Sequence, residues 1–207
     1  MKTGAKRGRP RKFSEDEALD QIMHVFWRHG FAATSLDQIA AAAGMNRPSL
    51  YAAFGSKKDM YLRVIFRFAD QMQTYLRAAG GDETGAPGRL KAIMSAAVDL
   101  YAGKSKLSDA ALGCLAVSTL PSEVMDDPDF RDALTDVVSR MDRGFANLIR
   151  QDATGGMDEE EVVLAAQHLS LVLHGLSVRA RAGEPPEALK RLATTAVDKL
   201  LPRAFAA

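Results

Sequence analysis

The sequence predicts an all-α fold, with a small three-helix head at the N-terminus and a larger helical bundle behind it. Three observations carry this. Apolar residues recur at i, i+3, i+4 and i+7 through stretch after stretch, and there is no alternating strand pattern or internal repeat. Side-chain caps stand where those stretches begin, and Gly or Pro stands where they end. Charge is divided between the two parts: residues 1–58 hold ten Lys+Arg against five Asp+Glu, and the remainder holds 17 against 21. A basic head on an acidic body suits a nucleic-acid contact confined to one end.

The chain opens with MKTGAKRGRPRK, which has six basic residues and no acidic one. Residues 1–12 cannot bury apolar surface and are expected to be disordered alone. Phe13–Gly30 reads as the first helix. Ser14 and Glu17 make a capping box, Leu19, Ile22, Met23 and Phe26 form the buried stripe beside Trp27, and Gly30 ends it. Thr34 and Ser35 then cap a short second helix whose stripe is Leu36, Ile39, Ala40 and Ala43. Gly44 suits the left-handed turn that closes that helix. Asn46 caps a third helix to Phe54, with Pro48 tolerated in its first turn. Leu50 and Phe54 point inward, which leaves Arg47, Ser49, Tyr51, Ala52 and Ala53 for other faces. Gly55 stops it, and Ser56-Lys57-Lys58-Asp59 opens the next helix with a Ser-x-x-acid cap.

Helix, glycine-containing turn and helix with a polar outer face is the helix-turn-helix pattern. The run TSLDQIAAAAGMNRPSLYAAFGSKKDMY resembles the DNA-binding head of the TetR family of transcriptional repressors, and the likeness extends loosely over residues 14–65. It implies residues 13–56 as the DNA-binding domain and 57–207 as a helical regulatory and dimerisation domain. It also implies a homodimer built through the last two helices and a double-stranded DNA operator as partner. A small-molecule effector, unknown from the sequence, would release the DNA. By the same resemblance the helix at Asn46–Phe54 enters the major groove. Arg47 can give a bidentate hydrogen bond to guanine, and Ala52 and Ala53 are small enough to meet a thymine methyl. Thr34, Ser49, Tyr51 and Lys57 would hold phosphates, which set register without reading sequence. Arg7, Arg9 and Arg11 resemble the basic hooks that enter narrow A·T minor grooves; the alternative is a solubilising tail. Family members often carry other residues at the places of Arg47, Ser49 and Ala52, so the operator cannot be borrowed from them.

Residues Lys57 to about Ala79 form a long fourth helix without internal Gly or Pro, a rod from head into body. Gly80–Gly88 reads as a flexible loop. Further helices are expected at Arg89–Ala102, Ala110–Leu120, Pro128 to about Arg150, about Asp158–Ala182 after Gly155-Gly156, and from the Gly183–Pro186 break to about Leu201. Val162–Val178 is the most apolar run, but Gln167, His168 and His174 interrupt it and it is short for a bilayer. With no secretory pattern, the expected location is the cytoplasm, with no membrane partner.

A ligand pocket is expected in the body, mostly apolar with a few polar points. Met94, Met141 and Phe145 are candidates for its wall, and Cys114, His168 and His174 for its polar groups. Gly113–Val117 and Gly175–Gly183 are similar to a branch of the same family in which some members sense electrophiles. Cys114 is thus either a reactive sensor or a small buried hydrophobe; its neighbours Gly113, Leu115 and Ala116 supply no charge to activate it. One cysteine excludes an intrachain disulfide, and with four scattered His it argues against a structural zinc site. No cofactor is expected. The competing classes are an architectural DNA binder without a ligand, and an all-helical enzyme. Against the enzyme, His168 and His174 stand six apart on different sides of a helix, and no metal motif or glycine-rich phosphate loop is present.

Overall fold

A computed structural model describes residues 14–81, 83–151 and 156–201. Phe13, Gly155 and the basic arm at 1–12 lie outside the described residues. Among those described there are nine helices and no strand: α1 (Glu15–His29), α2 (Leu36–Ala43), α3 (Arg47–Phe54), α4 (Lys57–Ala79), α5 (Gly85–Tyr101), α6 (Leu115–Thr119), α7 (Pro128–Gln151), α8 (Glu159–Arg181) and α9 (Pro186–Leu200).

Local chemistry explains most of the boundaries. The Ser35 hydroxyl accepts from the Gln38 amide at 3.2 Å, and the Ser35 amide donates to Gln38 Oε1 at 2.7 Å. Ser56 with Asp59 and Asp158 with Glu161 repeat this reciprocal cap, and Asn46 Oδ1 accepts from the Ser49 amide at 2.9 Å. Each cap satisfies amides that the first turn leaves unpaired. Gly44 takes φ 64° in the turn between α2 and α3, a left-handed conformation that favours glycine.

α1 packs across α2 and α4 through Ile22, Met23, Phe26 and Trp27. α5 is the central post of the body, touching α4, α7, α8 and α9. α4 and α7 run side by side in the same direction: Lys58 near the start of α4 meets Asp127 and Asp129 before and at the start of α7, and Asp70 further on meets Arg140. One apolar core is continuous from Ala18 to Leu201. Contacts tie the head to α4 and α4 to the rest of the body. The Arg67 fork holds Asp20 at 2.6 and 2.9 Å and Asp16 at 2.7 Å. The Tyr61 hydroxyl is 2.6 Å from the Thr119 hydroxyl. Phe130 of α7 meets the rings of Phe31 and Tyr61 edge-on.

Two boundaries depart from the sequence reading. The Gly80–Gly88 stretch is not all loop, because α5 already begins at Gly85; Pro87 sits in its first turn, where the missing amide had no partner. The helix expected over Ala110–Leu120 is only Leu115–Thr119. The preceding segment is irregular and anchored from afar. Trp27 Nε1 donates to the Gly113 carbonyl at 3.1 Å, Arg181 donates to the Leu112 carbonyl at 2.9 Å, and the Cys114 amide donates to the Ser177 hydroxyl at 2.7 Å. With these partners met by side chains of α1 and α8, the segment has no need of helical bonds. Gly113 is at φ 68°, and a Cβ there would stand 2.8 Å from the Ser177 carbonyl oxygen, so position 113 tolerates no side chain.

α8 is long and apolar enough by composition to cross a membrane, yet 44% of that window is buried. Its inner side, including Leu169, Leu173 and Leu176, is packed into the body, and its outer side exposes Leu164, Leu171 and Val178.

Candidate nucleic-acid interface and body cavity

The head presents α3 on a rigid mount. Leu50 and Phe54 are almost fully buried, each worth about 1.5–3 kcal/mol of burial, and they fix the rotation of the helix. Arg47, Ser49, Tyr51 and Ala52 are left exposed together, as the spacing required, while Ala53 is half-buried. Arg63 of α4 donates to the Ala53 carbonyl at 3.2 Å and closes the helix against the rod.

Arg47 is not idle. Its Nε and Nη2 donate to the two oxygens of Asp37 on α2, at 2.8 and 2.7 Å. That fork-on-fork geometry is the one Arg would use on a guanine edge. The pair is exposed, and the guanidinium holds the Asp37 carboxyl below its usual range through that hydrogen bond. Asp37 escaped the sequence reading because it stands ten residues from Arg47 on another helix, outside any i,i+4 pattern.

Lys57 is half-buried at the first position of α4. Its ammonium sits 4.5 Å from the Phe31 ring centre and donates to the Ala32 carbonyl at 3.4 Å, and burial lowers its pKa. Thr34 corrects an expectation. It is 2% exposed, and its hydroxyl donates to the Gly30 carbonyl at 2.6 Å, so it locks the turn after α1 and is not offered to a phosphate. Ser35, its neighbour, is the actual cap of α2. Arg7, Arg9 and Arg11 lie outside the described residues.

The body holds a cavity of about 440 Å³ between α4, α5 and α7. Met141 and Phe145 line it with Phe68, Met72, Ile93 and Val137. Met94 is fully buried in the core but does not reach the lining. Cys114, His168 and His174 are not among the lining residues either. His168 is exposed on the outer side of α8, bonded to the Leu164 carbonyl at 2.9 Å. His174 lies half-buried between α8 and α7, where burial lowers its pKa against the opposing pull of Asp142. Cys114 is 3% exposed under the strap beside Tyr101, and burial pushes its thiol up to about 11. The polar points that do line the cavity are Gln73, Arg77, Arg89, Arg140, Asn147 and Gln151.

Comparison with known proteins follows the same lines. Residues 18–64 match the family model of bacterial regulatory proteins, tetR family. The HTH-type transcriptional repressor ComR of Escherichia coli (strain K12) is 30% identical over 194 residues, covering 91% of this chain and 90% of its own. The HTH-type transcriptional repressor BdcR of the same organism is 26% identical and covers 93% and 92%. Among solved structures, a cysteine mutant of the TetR family regulator CifR, complexed with 26-base-pair operator DNA, is 29% identical. It covers 92% of this chain and 98% of its own, with a TM-score of 0.78.

Proposed function

Because the chain belongs to the tetR family of bacterial regulatory proteins, we propose that it is a homodimeric repressor released from its operator by a small molecule. It is a DNA-binding transcriptional regulator and not an enzyme. The observation that carries the reading is the exposed row Arg47, Ser49, Tyr51 and Ala52 on a helix whose rotation is fixed by buried Leu50 and Phe54. In this reading α3 enters the major groove, Arg47 leaves Asp37 for a guanine edge, and Ala52 meets a base. Ser49, Tyr51 and Lys57 hold phosphates, and the arm with Arg7, Arg9 and Arg11 follows the adjacent minor groove. Residues 13–56 act as the DNA-binding unit and 57–207 as the regulatory and dimerisation unit, in the cytoplasm.

The dimer is assigned to α8 and α9. Leu164, Leu171 and Val178 on α8 and Leu192 on α9 are 43–66% exposed, an apolar stripe that a two-fold partner would cover. The effector is assigned to the cavity against α4. Filling it would shift the rod that carries the head, and so the spacing of two heads, which DNA needs near one helical turn, about 34–36 Å. The test is selection of a preferred duplex from a random library by the full chain, followed by titration of the winner and a scrambled duplex at two salt concentrations. Equal affinity for both duplexes would overturn the sequence-specific reading.

A further inference from the structure

The cavity is lopsided in charge, and this says what kind of molecule it takes. Since α4 and α7 run parallel, residues of similar depth gather at the same end. Arg77 stands two residues before the end of α4, Gln151 ends α7, and Arg89 is the fifth residue of α5. Arg89 reaches Gln151 Oε1 at 3.3 Å and the Glu83 carbonyl at 3.2 Å, both uncharged acceptors. Among the described residues no carboxylate lines the cavity, and none stands within ion-pair distance of Arg77 or Arg89. Arg140 is different: Asp70 and Asp136 hold it at 2.9 and 2.7 Å, so its charge is already answered. Along α4 the wall from Phe68 to Arg77 is nine residue steps, about 14 Å at 1.5 Å per residue, and toward the Phe68 end the one charged lining group is the Arg140 guanidinium, paired with Asp70 and Asp136. A place in the last turn of α4 accounts for Arg77, because cations favour helix C-termini. It does not account for Arg89, which stands near the N-terminus of α5, where the helix favours an anion.

We infer that the cavity takes an amphipathic carboxylate, with its apolar body against Phe68, Met72 and Phe145 and its acid head between Arg77 and Arg89. A guanidinium offers five donors; Arg89 spends two on the neutral acceptors above, which leaves donors for a carboxylate. The inference rests on reading this cavity as the effector site.

The test uses the full chain and three probes of equal chain length below their micelle concentrations: decanoate, decan-1-ol and decylamine. Binding is followed by calorimetry. Decanoate binds best, decan-1-ol about tenfold or more weaker, and decylamine weakest. Arg77→Gln with Arg89→Gln removes the preference for decanoate while decan-1-ol still binds, which also shows that the variant is folded. Gly144 lines the cavity and has open space where a Cβ would stand, so Gly144→Phe fills the cavity and abolishes binding of decanoate. If decan-1-ol or decylamine binds as tightly as decanoate, and Gly144→Phe blocks them all, the effector-site reading survives and the carboxylate class is wrong. If decanoate binds equally well to Gly144→Phe, or no probe binds, both fail.

Discussion

Arg47 on α3 and Asp37 on α2 face each other across the turn that joins the two helices, with both guanidinium–carboxylate hydrogen bonds between 2.7 and 2.8 Å. The residue proposed to read a base is thus already engaged by an acid of its own chain. The pair is too exposed to add much stability. In the proposed reading its weight falls on recognition, because Arg47 would exchange one bidentate acceptor for another.

Two substitutions measure that exchange. Arg47→Ala costs about 1–3 kcal/mol on the preferred duplex and relaxes selection at one base pair. Asp37→Asn frees the fork and removes a negative charge near the phosphates, so affinity rises severalfold on every duplex in an anisotropy titration. Unchanged affinity for Asp37→Asn would mean that the pair stays closed on DNA and that Arg47 reads nothing. Uniform weakening by Arg47→Ala across sequences would make Arg47 a phosphate contact.

Leu171 is the most exposed of the large apolar residues on the outer side of α8, at 66%. Leu171→Glu places a charge in the middle of the proposed dimer face. Sedimentation at micromolar concentration then gives a monomer, and operator affinity falls by about a hundredfold as the second head no longer binds in concert. A wild-type chain that sediments as a monomer would reject the interface outright.

The Cys114 thiol, with its pKa pushed up to about 11 by burial, stays protonated at pH 7.5. In the native chain N-ethylmaleimide leaves it unmodified over hours, and unfolding in urea exposes it at once. Rapid native labelling, with release of DNA that Cys114→Ser abolishes, would restore the electrophile sensor.

His174 sets a pH window. Burial holds its pKa in the folded chain below the ordinary 6.5, and Asp142 only partly offsets this. The unfolded chain therefore takes up a proton first. Stability is full above about pH 7 and is lost as pH falls through the folded-state pKa. The melting temperature drops as pH falls below the ordinary histidine value of 6.5, and His174→Gln flattens that slope. Asp20 and Asp37, whose pKa values are lowered by Arg67 and Arg47, lose their contribution only at more acid pH. Equal slopes in the wild type and His174→Gln would remove His174 as the cause.

The helices of the head were legible because their signals are local. Ser35, Asn46 and Ser56 act on amides within three residues, and Gly44 needs no partner at all. What escaped depended on distance in sequence. The strap before α6 is held by Trp27 and Ser177, 86 and 63 residues away, so its apolar composition reads as one more helix. Thr34 and Ser35 are adjacent residues of cap type, and only the fold decides that one turns inward. In the body, Met141 and Phe145 share a face readable from helical spacing, but which polar residues join them depends on how α4, α5 and α7 meet. Arg77 and Arg89 look like ordinary surface charges until the helices run together. His168 and His174 sit on α8, which does not reach the cavity at those positions.

Trp27 is the one tryptophan of the chain, fully buried in α1 with its indole N–H on the Gly113 carbonyl and its ring edge-on to Phe68, centroids 4.7 Å apart. Phe68 is also a wall of the cavity. The only indole chromophore therefore stands one side chain from the cavity and belongs to the head. Its emission is a dye-free optical gauge of coupling: a ligand that merely fills space perturbs intensity through Phe68, whereas one that pulls the head from the strap breaks the indole hydrogen bond and shifts the wavelength.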